Sequence, residues 1–173
     1  MKTLKFFVIL ILLILTWSAK GAWAQVEKVE LRVDGLACPF CSYGLEKKLK
    51  EVKGVGKVAI NVDKGFATLN NKKEQSIEVE MLEPVVKDAG FTPGEISITV
   101  VGTISEADGT PMFLVSGAER QFILTKNAQL EKLRGQANAL GKPSKVIGRL
   151  THEMPTGHHG HPYTLTITEV VTP

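Results

Sequence analysis

The sequence has few of the residues that carry most enzyme chemistry. Its 173 residues include two cysteines and four histidines, and aromatic residues make up only 6% of it. It contains no Ser/His/Asp set, no paired carboxylates in a plausible cleft motif and no phosphate-binding glycine loop. We therefore expect a binding protein and not an enzyme. The residues with candidate chemistry are the cysteines and the histidines. The cysteines lie in one short stretch and the histidines in another.

Apart from its N-terminal segment, the chain also has no excess of positive or of negative charge. Residues 1–24 have a basic start, an apolar run and small residues ending in Ala22-Trp23-Ala24, the layout of a secretory signal peptide. The apolar run at 6–15 is too short for a membrane span of roughly 20 residues. We expect cleavage after Ala24, a periplasmic or secreted protein, and no stable membrane insertion afterwards.

The formal net charge of +3 comes from three lysines in that segment, so the remaining 149 residues carry 18 basic and 18 acidic side chains. Nucleic-acid binding depends on neutralising phosphates with basic residues. A neutral mature chain therefore predicts no nucleic-acid partner.

Residues 25–97 show the periodicity of a small α+β domain. Apolar and polar residues alternate in strand-like runs, and apolar residues recur at helical spacing between them. We predict strand, helix, strand, strand, helix, strand, which is the order of a ferredoxin-like βαββαβ fold. For the second helix we expect Ser76 as its cap and, because of Pro84, a kink or a shortened helix. The predicted elements cover residues 26–34, 39–52, 58–62, 66–69, 76–89 and the region around 96.

Residues 98–173 have a different pattern, that of a mostly β unit. Three strands, a helix and two strands are the element order of a small five-stranded OB-like β-barrel. Its strands lack the combination of lysines and aromatic residues that binds single-stranded nucleic acid. The predicted strands are 98–104, 112–115, 121–124, 145–150 and 163–171, and the helix is 127–140.

Both cysteines lie in "DGLACPFCSYGLEKKL", where the first strand gives way to the first helix. A disulfide between Cys38 and Cys41 would close a very short loop and remove little entropy from the unfolded chain. Two thiolates are too few for a closed zinc site, but they suit a soft ion with two nearly linear ligands, Cu(I) or Hg(II). With Cys38 at the helix cap and Cys41 in the first turn, free N–H groups favour both thiolates.

Residues 29–69 read "VELRVDGLACPFCSYGLEKKLKEVKGVGKVAINVDKGFATL", and "VVKDAGF" follows at 85–91. This part of the chain resembles the heavy-metal-associated domain of copper chaperones, copper-pumping ATPases and periplasmic mercury-binding proteins. The resemblance covers about residues 27–97 and rests on the G-x-x-C-x-x-C loop, the Gly-Val after the first helix and the A-G-F after the second. It implies that Cys38 and Cys41 bind the metal, Cu(I) first, with Hg(II) or Zn(II) as alternatives.

The resemblance also implies that Phe91 packs beside the metal loop and that Leu36 replaces the usual methionine. The implied function is a metallochaperone that delivers its ion to a membrane metal transporter or a cuproprotein. The proline inside the cysteine motif keeps a thiol-disulfide oxidoreductase open as the alternative. Such redox sites lie in a longer βαβ fold, which the element order here does not supply. A structural adaptor with neither activity is the third interpretation.

The four histidines all occur in "THEMPTGHHGHPY", between the last two predicted strands. Imidazole with a thioether nearby suits copper, and closely spaced histidines can converge on one ion. The alternative is a polar loop made flexible by its two glycines. The candidate ligands of this second metal site are His152, Met154, His158, His159 and His161.

Lysines cluster on the first helix and in the segment after it. A solvated helix face is the ordinary interpretation, and the alternative is a docking surface for an acidic partner, which would mainly raise the association rate. These residues are Lys47, Lys48, Lys50, Lys53 and Lys57.

Overall fold

The computed structural model describes residues 25–37, 39–115, 120–136, 143–151 and 163–171. The predicted signal peptide, Cys38 and the histidine segment therefore lie outside the described residues. No helix in the described part of the chain is long and apolar enough to cross a membrane. In chain order the elements are β1 (Val26–Asp34), α1 (Pro39–Glu51), β2 (Val55–Asn61), β3 (Phe66–Asn71), a 3₁₀ turn (Val79–Met81), α2 (Leu82–Asp88), β4 (Thr92–Ala107), β5 (Thr110–Val115), β6 (Arg120–Leu124), α3 (Ala128–Gly135), β7 (Ser144–Thr151) and β8 (Thr164–Val171).

The first half has the predicted ferredoxin-like arrangement. Its strands lie in the order β2-β3-β1-β4, and all three pairings are antiparallel. The alternation in β1 buries Val29, Leu31 and Val33, while α1 contributes the fully buried Leu45 and Leu49. The α+β class and the order of elements in this half are confirmed, because the two periodicities of the sequence match the faces that the core covers.

The second helix is shorter than the apolar pattern at 76–89, and a shortened helix is one of the two effects that we expect of Pro84. A 3₁₀ turn leads into α2, which begins at Leu82 and not at Ser76. The Ser76 hydroxyl accepts a hydrogen bond from the Val26 N–H at 3.1 Å, so it ties this segment to β1 instead of capping a helix. Pro84 is the third residue of α2, where a backbone N–H has no partner inside the helix. The proline is therefore compatible with the start of α2 and does not interrupt it.

Strand β4 belongs to both halves of the molecule. It pairs with β1 over residues 92–100, with β7 over 96–102 and with β5 over 103–107. The strand order continues as β5-β6-β8-β7, so the β4–β7 pairing closes a ring of five strands. Within this ring only β6–β8 is parallel. The division that we predicted between residues 97 and 98 falls inside a continuous strand.

The third helix is fixed to the ring by its cap. The Asn127 side chain accepts a hydrogen bond from the Leu130 N–H at 2.9 Å and donates one to the Ile167 carbonyl in β8 at 2.8 Å. The helix ends at Gly135 because Gln136 is extended, so it is shorter than predicted within the described residues, and 137–140 lie outside them. One hydrophobic core cluster includes residues from both halves.

Candidate metal centre

The loop between β1 and α1 begins with a glycine that the backbone requires. Gly35 has φ +93, a left-handed conformation that residues with a Cβ rarely adopt. Its carbonyl accepts a hydrogen bond from the Ala37 N–H at 2.8 Å, which makes a tight three-residue turn. Leu36, between them, is buried at 8% exposure. The loop is therefore anchored in the core on one side of the cysteine motif.

Helix α1 anchors the other side of the motif. It begins at Pro39, as the sequence predicts, which puts Cys41 in the first turn, where backbone N–H groups have no acceptor inside the helix. That turn contains no acidic residue, so the positive end of the helix is not neutralised there. Cys41 is exposed. Both conditions favour a charged, accessible thiolate, which is the form that binds soft metals.

Cys41 lies in an open groove between the two helices of the first half. The groove has a volume of about 480 Å³. One wall is the face of α1 that carries Cys41, and the other is the chain where α2 ends. The lining residues are Cys41, Gly44, Leu45, Lys48, Asp88, Ala89, Gly90 and Phe91.

The sequence Ala-Gly-Phe forms the far wall because it ends α2 in a defined way. The Gly90 N–H donates to the Lys87 carbonyl at 2.9 Å, and the Phe91 N–H donates to the Val86 carbonyl at 3.1 Å. With Gly90 at φ +85, this is the Schellman pattern of a helix C-terminus. It turns the chain so that a Cβ built on Gly35 would lie 3.7 Å from Phe91 Cδ1. Phe91 thus lies beside the metal loop, where the resemblance places it.

Lys48 joins the two walls of the groove. Its ammonium donates a hydrogen bond to the Asp88 carbonyl, at the end of α2, over 2.6 Å. A cation at this end of a helix also interacts favourably with the helix dipole. From the sequence we placed Lys48 among the lysines of a solvated helix face. The hydrogen bond to the Asp88 carbonyl was not predicted. Its position seven residues after Cys41, on the same face of the helix, is the feature that could have indicated it.

Two large apolar side chains flank Cys41 on the outside of the helix. Phe40 is 90% exposed and Tyr43 is 71% exposed. Neither contributes to the core, and both lie within two residues of the thiol. These two side chains are therefore accessible to a partner that approaches the candidate site.

The donor set of the groove suits a soft ion. Among the described residues no group of three or more histidine, cysteine, aspartate or glutamate side chains gathers as a metal site. The described part of the centre therefore offers one sulfur ligand, Cys41, next to an aromatic wall. Cys38 and the histidine segment with Met154 lie outside the described residues, so their participation stays a prediction.

Comparison with known proteins is consistent with this chemistry. Residues 30–92 match the family model described as the heavy-metal-associated domain. The mercuric transport protein periplasmic component of Shigella flexneri is 30% identical over 79 residues, which are 46% of this chain and 86% of that protein. Its counterpart in Pseudomonas aeruginosa is 31% identical over 71 residues, 40% of this chain and 75% of that one.

Copper-transporting ATPase 2 of Homo sapiens is 30% identical over 76 residues, 44% of this chain. The chain spans only 5% of the length of that ATPase. Among solved structures, the CopZ metallochaperone aligns with a TM-score of 0.36 and 21% identity, over 39% of this chain and 98% of that chain. A copper binding domain of a P-type ATPase aligns with a TM-score of 0.36 and 26% identity, over 39% of this chain and 90% of that one.

The ferredoxin-like fold and the groove beside Cys41 define a small metal-binding domain. The chain belongs to the heavy-metal-associated domain family, through its residues 30–92. The family match ends where β4 begins, so it describes the first half of the molecule.

Proposed function

We propose that the protein is an exported carrier of soft metal, which binds Cu(I) through Cys38 and Cys41 and passes it to a membrane transporter or a cuproprotein. Hg(II) is the second candidate ion, and Zn(II) is less favoured because two thiolates do not complete a tetrahedral site. The observation that carries the proposal is the exposed Cys41 in the first turn of α1, which lines an open groove together with Phe91.

The geometry supports transport more than storage. An ion held at an exposed helix N-terminus can be approached by the thiols of a partner, so ligands can be exchanged one at a time. The aromatic wall covers one side of the site, while the other side stays open. A buried four-ligand site would hold its metal more tightly and release it more slowly.

Export is proposed from two independent observations. Residues 1–24 have the layout of a secretory signal peptide. Two bacterial relatives, of which this chain covers 86% and 75%, are periplasmic components by name. A periplasmic location places the carrier next to membrane transporters, which are the partners that we propose.

The outer face of α1 is the surface that we propose for delivery. Phe40, Tyr43 and Lys47 lie at i, i+3 and i+7, so they form one exposed stripe that begins beside the thiol. An acidic partner with an apolar centre would fit this stripe. Its lysine would mainly steer the encounter, and its aromatic side chains would supply the buried contact.

For the second half we propose an OB-like fold. The ring order β4-β5-β6-β8-β7, with its single parallel pair, supports this proposal. Nucleic-acid binding does not follow from such a fold, because function depends on the site and not on the fold. The histidine segment between β7 and β8 remains a proposed second copper site.

A titration of the reduced, exported protein with Cu(I) tests the carrier hypothesis. We expect one tightly bound equivalent in the wild type and none in the Cys38→Ser/Cys41→Ser variant. The control Met81→Leu removes a different exposed sulfur, 47% accessible, and should keep the wild-type stoichiometry. Weak metal binding combined with catalysed reduction or oxidation of a model disulfide would instead support the oxidoreductase alternative.

A further inference from the structure

The segment that ends in the groove wall is short. Helix α2 has seven residues and follows a 3₁₀ turn of three. An isolated helix of this length is unstable in water, so its position depends on tertiary contacts. Leu82 and Val86 supply buried apolar contacts, and Lys48 holds the carbonyl end. The start of the segment is held by residues of the second half.

The first of these is Arg120, which opens β6. One guanidinium nitrogen donates to the Ile77 carbonyl at 2.9 Å, and another lies 2.9 Å from Glu80 Oε2. The arginine side chain is only 17% exposed and that of Glu80 is 33% exposed. A partly buried guanidinium that uses two nitrogens fixes geometry better than a surface ion pair does. Arg120 therefore holds both the backbone before the 3₁₀ turn and a side chain within it.

The second is Tyr163, which comes directly before β8. Its ring is buried at 4% exposure, and its hydroxyl donates to Glu83 Oε1 over 3.4 Å. Burial, together with the charges of Glu83 and Glu80, raises the pKa of Tyr163 well above its usual value. The hydroxyl therefore remains a donor across the physiological pH range. Glu83 lies in the first turn of α2, so this contact is one turn beyond that of Arg120.

We propose that the second half of the chain positions the wall of the metal groove, with Arg120 and Tyr163 holding the 3₁₀ turn and α2 so that Phe91 stays against Gly35. Neither residue touches the groove. They act through the Ile77 carbonyl and the side chains of Glu80 and Glu83, all eight or more residues before Phe91. This inference rests on the proposed carrier function, and it assigns the second half a role in setting the rate of metal release.

The test uses two positioning variants and one matched control. Arg120→Met keeps an apolar stem but removes both contacts, and Tyr163→Phe removes only the hydroxyl, so it remains informative if the first variant folds poorly. Arg149→Met is the control. It breaks a more exposed arginine–glutamate pair between β7 and β4, Arg149 Nε to Glu95 Oε1 at 2.7 Å, so it removes the same type of charge pair away from α2. All are purified as the exported protein.

The first measurement is the rate at which Cu(I) passes to a coloured chelator in stopped-flow. We expect release about threefold to tenfold faster in Arg120→Met, a smaller effect in Tyr163→Phe, and the wild-type rate in Arg149→Met. Arg120→Lys should recover part of the loss because it keeps the charge beside Glu80. In a Phe91→Ala background, Arg120→Met should change the rate no further, which a general loss of stability would not produce.

The second measurement needs no metal. Hydrogen exchange of the metal-free protein should show faster exchange at the Gly90 and Phe91 amides in Arg120→Met, and unchanged exchange in Arg149→Met. Unchanged exchange and release in both positioning variants would overturn the proposal, as would an undiminished effect without Phe91. If the wild type bound no soft metal, the carrier function would fail and the assigned role in metal release with it. The exchange result would then still decide whether the second half holds the end of α2.

Discussion

Three glycines in the first half of the molecule give a prediction that separates backbone strain from steric clash. Gly90 and Gly54 have nearly the same left-handed φ, +85 and +83, whereas Gly44 lies within α1. A Cβ on Gly54 would lie 2.0 Å from the Ser76 carbonyl oxygen. Apart from the chain and helix neighbours, no described atom lies within 4 Å of a Cβ built on Gly90 or Gly44. Alanine at the three positions therefore meets three different physical conditions.

The expected changes in the free energy of unfolding follow from those conditions. At Gly90, the left-handed conformation costs alanine about 1–2 kcal/mol. The smaller conformational freedom of the unfolded chain offsets about 0.4–1 kcal/mol of this. We therefore expect Gly90→Ala to destabilise the protein by about 1 kcal/mol. Gly54→Ala carries the same strain plus a backbone clash, and we expect a loss above about 3 kcal/mol or no folding. Gly44→Ala should stabilise the protein by about 0.5–1 kcal/mol, because alanine is the better helix former.

Urea unfolding of the metal-free protein, followed by circular dichroism, measures all three values. Gly90→Asn serves as the control for strain, since asparagine tolerates the left-handed region and should be less destabilising than alanine. Equal losses of unfolding free energy in Gly90→Ala and Gly54→Ala would refute the distinction between backbone strain and steric clash. A destabilising Gly44→Ala would show that the groove wall is more crowded than the structure has it.

Three further predictions concern the metal. Lys48→Met, which keeps the stem but removes the hydrogen bond to Asp88, should speed Cu(I) release to a chelator by about twofold to fivefold, whereas Lys47→Met should not. Air-oxidised protein should lose Cu(I) binding at the cysteine motif and regain it on reduction, because a disulfide offers no thiolate; equal affinity in both states would exclude the cysteines as ligands. A second, weaker Cu(II) site should lose affinity as the pH falls through roughly 6.5, because protonated imidazole does not bind metal. Asparagine at all four histidines should abolish this site in a Cu(II) titration at pH 7.5, and an unchanged titration would leave the segment as a loop only. The residues replaced are His152, His158, His159 and His161.

The sequence predicts most of the first half because its elements are set by local patterns. The alternation of apolar and polar residues predicted β1, and Pro39 predicted the first residue of α1. The second helix was predicted too long because the apolar positions before Leu82 continue the helical spacing. What stops the helix there is a tertiary contact: Ser76 is bonded to the Val26 N–H, fifty residues earlier. A hydrogen bond to a distant residue of this kind cannot be predicted from the spacing of apolar residues.

The residues of the candidate site also fall into those that local motifs predict and those that depend on distant contacts. The positions of Cys41 in the first turn of α1, of Phe91 and of the glycine turns could be predicted, since each belongs to a short motif with a local geometric requirement. Lys48, Arg120 and Tyr163 could not, because their partners are a carbonyl or carboxylates forty to eighty residues away. Their side chains are also of ordinary surface types.

The shared strand explains why the two halves should act together. Residues 96–100 of β4 pair with β1 on one side and with β7 on the other, so the two halves cannot move apart without breaking the pairings of this shared strand. The ring is thereby fixed relative to β1, which leads directly into the metal loop. Arg120 and Tyr163 then reach from this fixed ring to the short segment that ends in Phe91. The loop and the wall of the groove are thus both held relative to the same strand. The distance between Cys41 and Phe91 then depends on the contacts of Arg120 and Tyr163 with the segment that contains the 3₁₀ turn and α2.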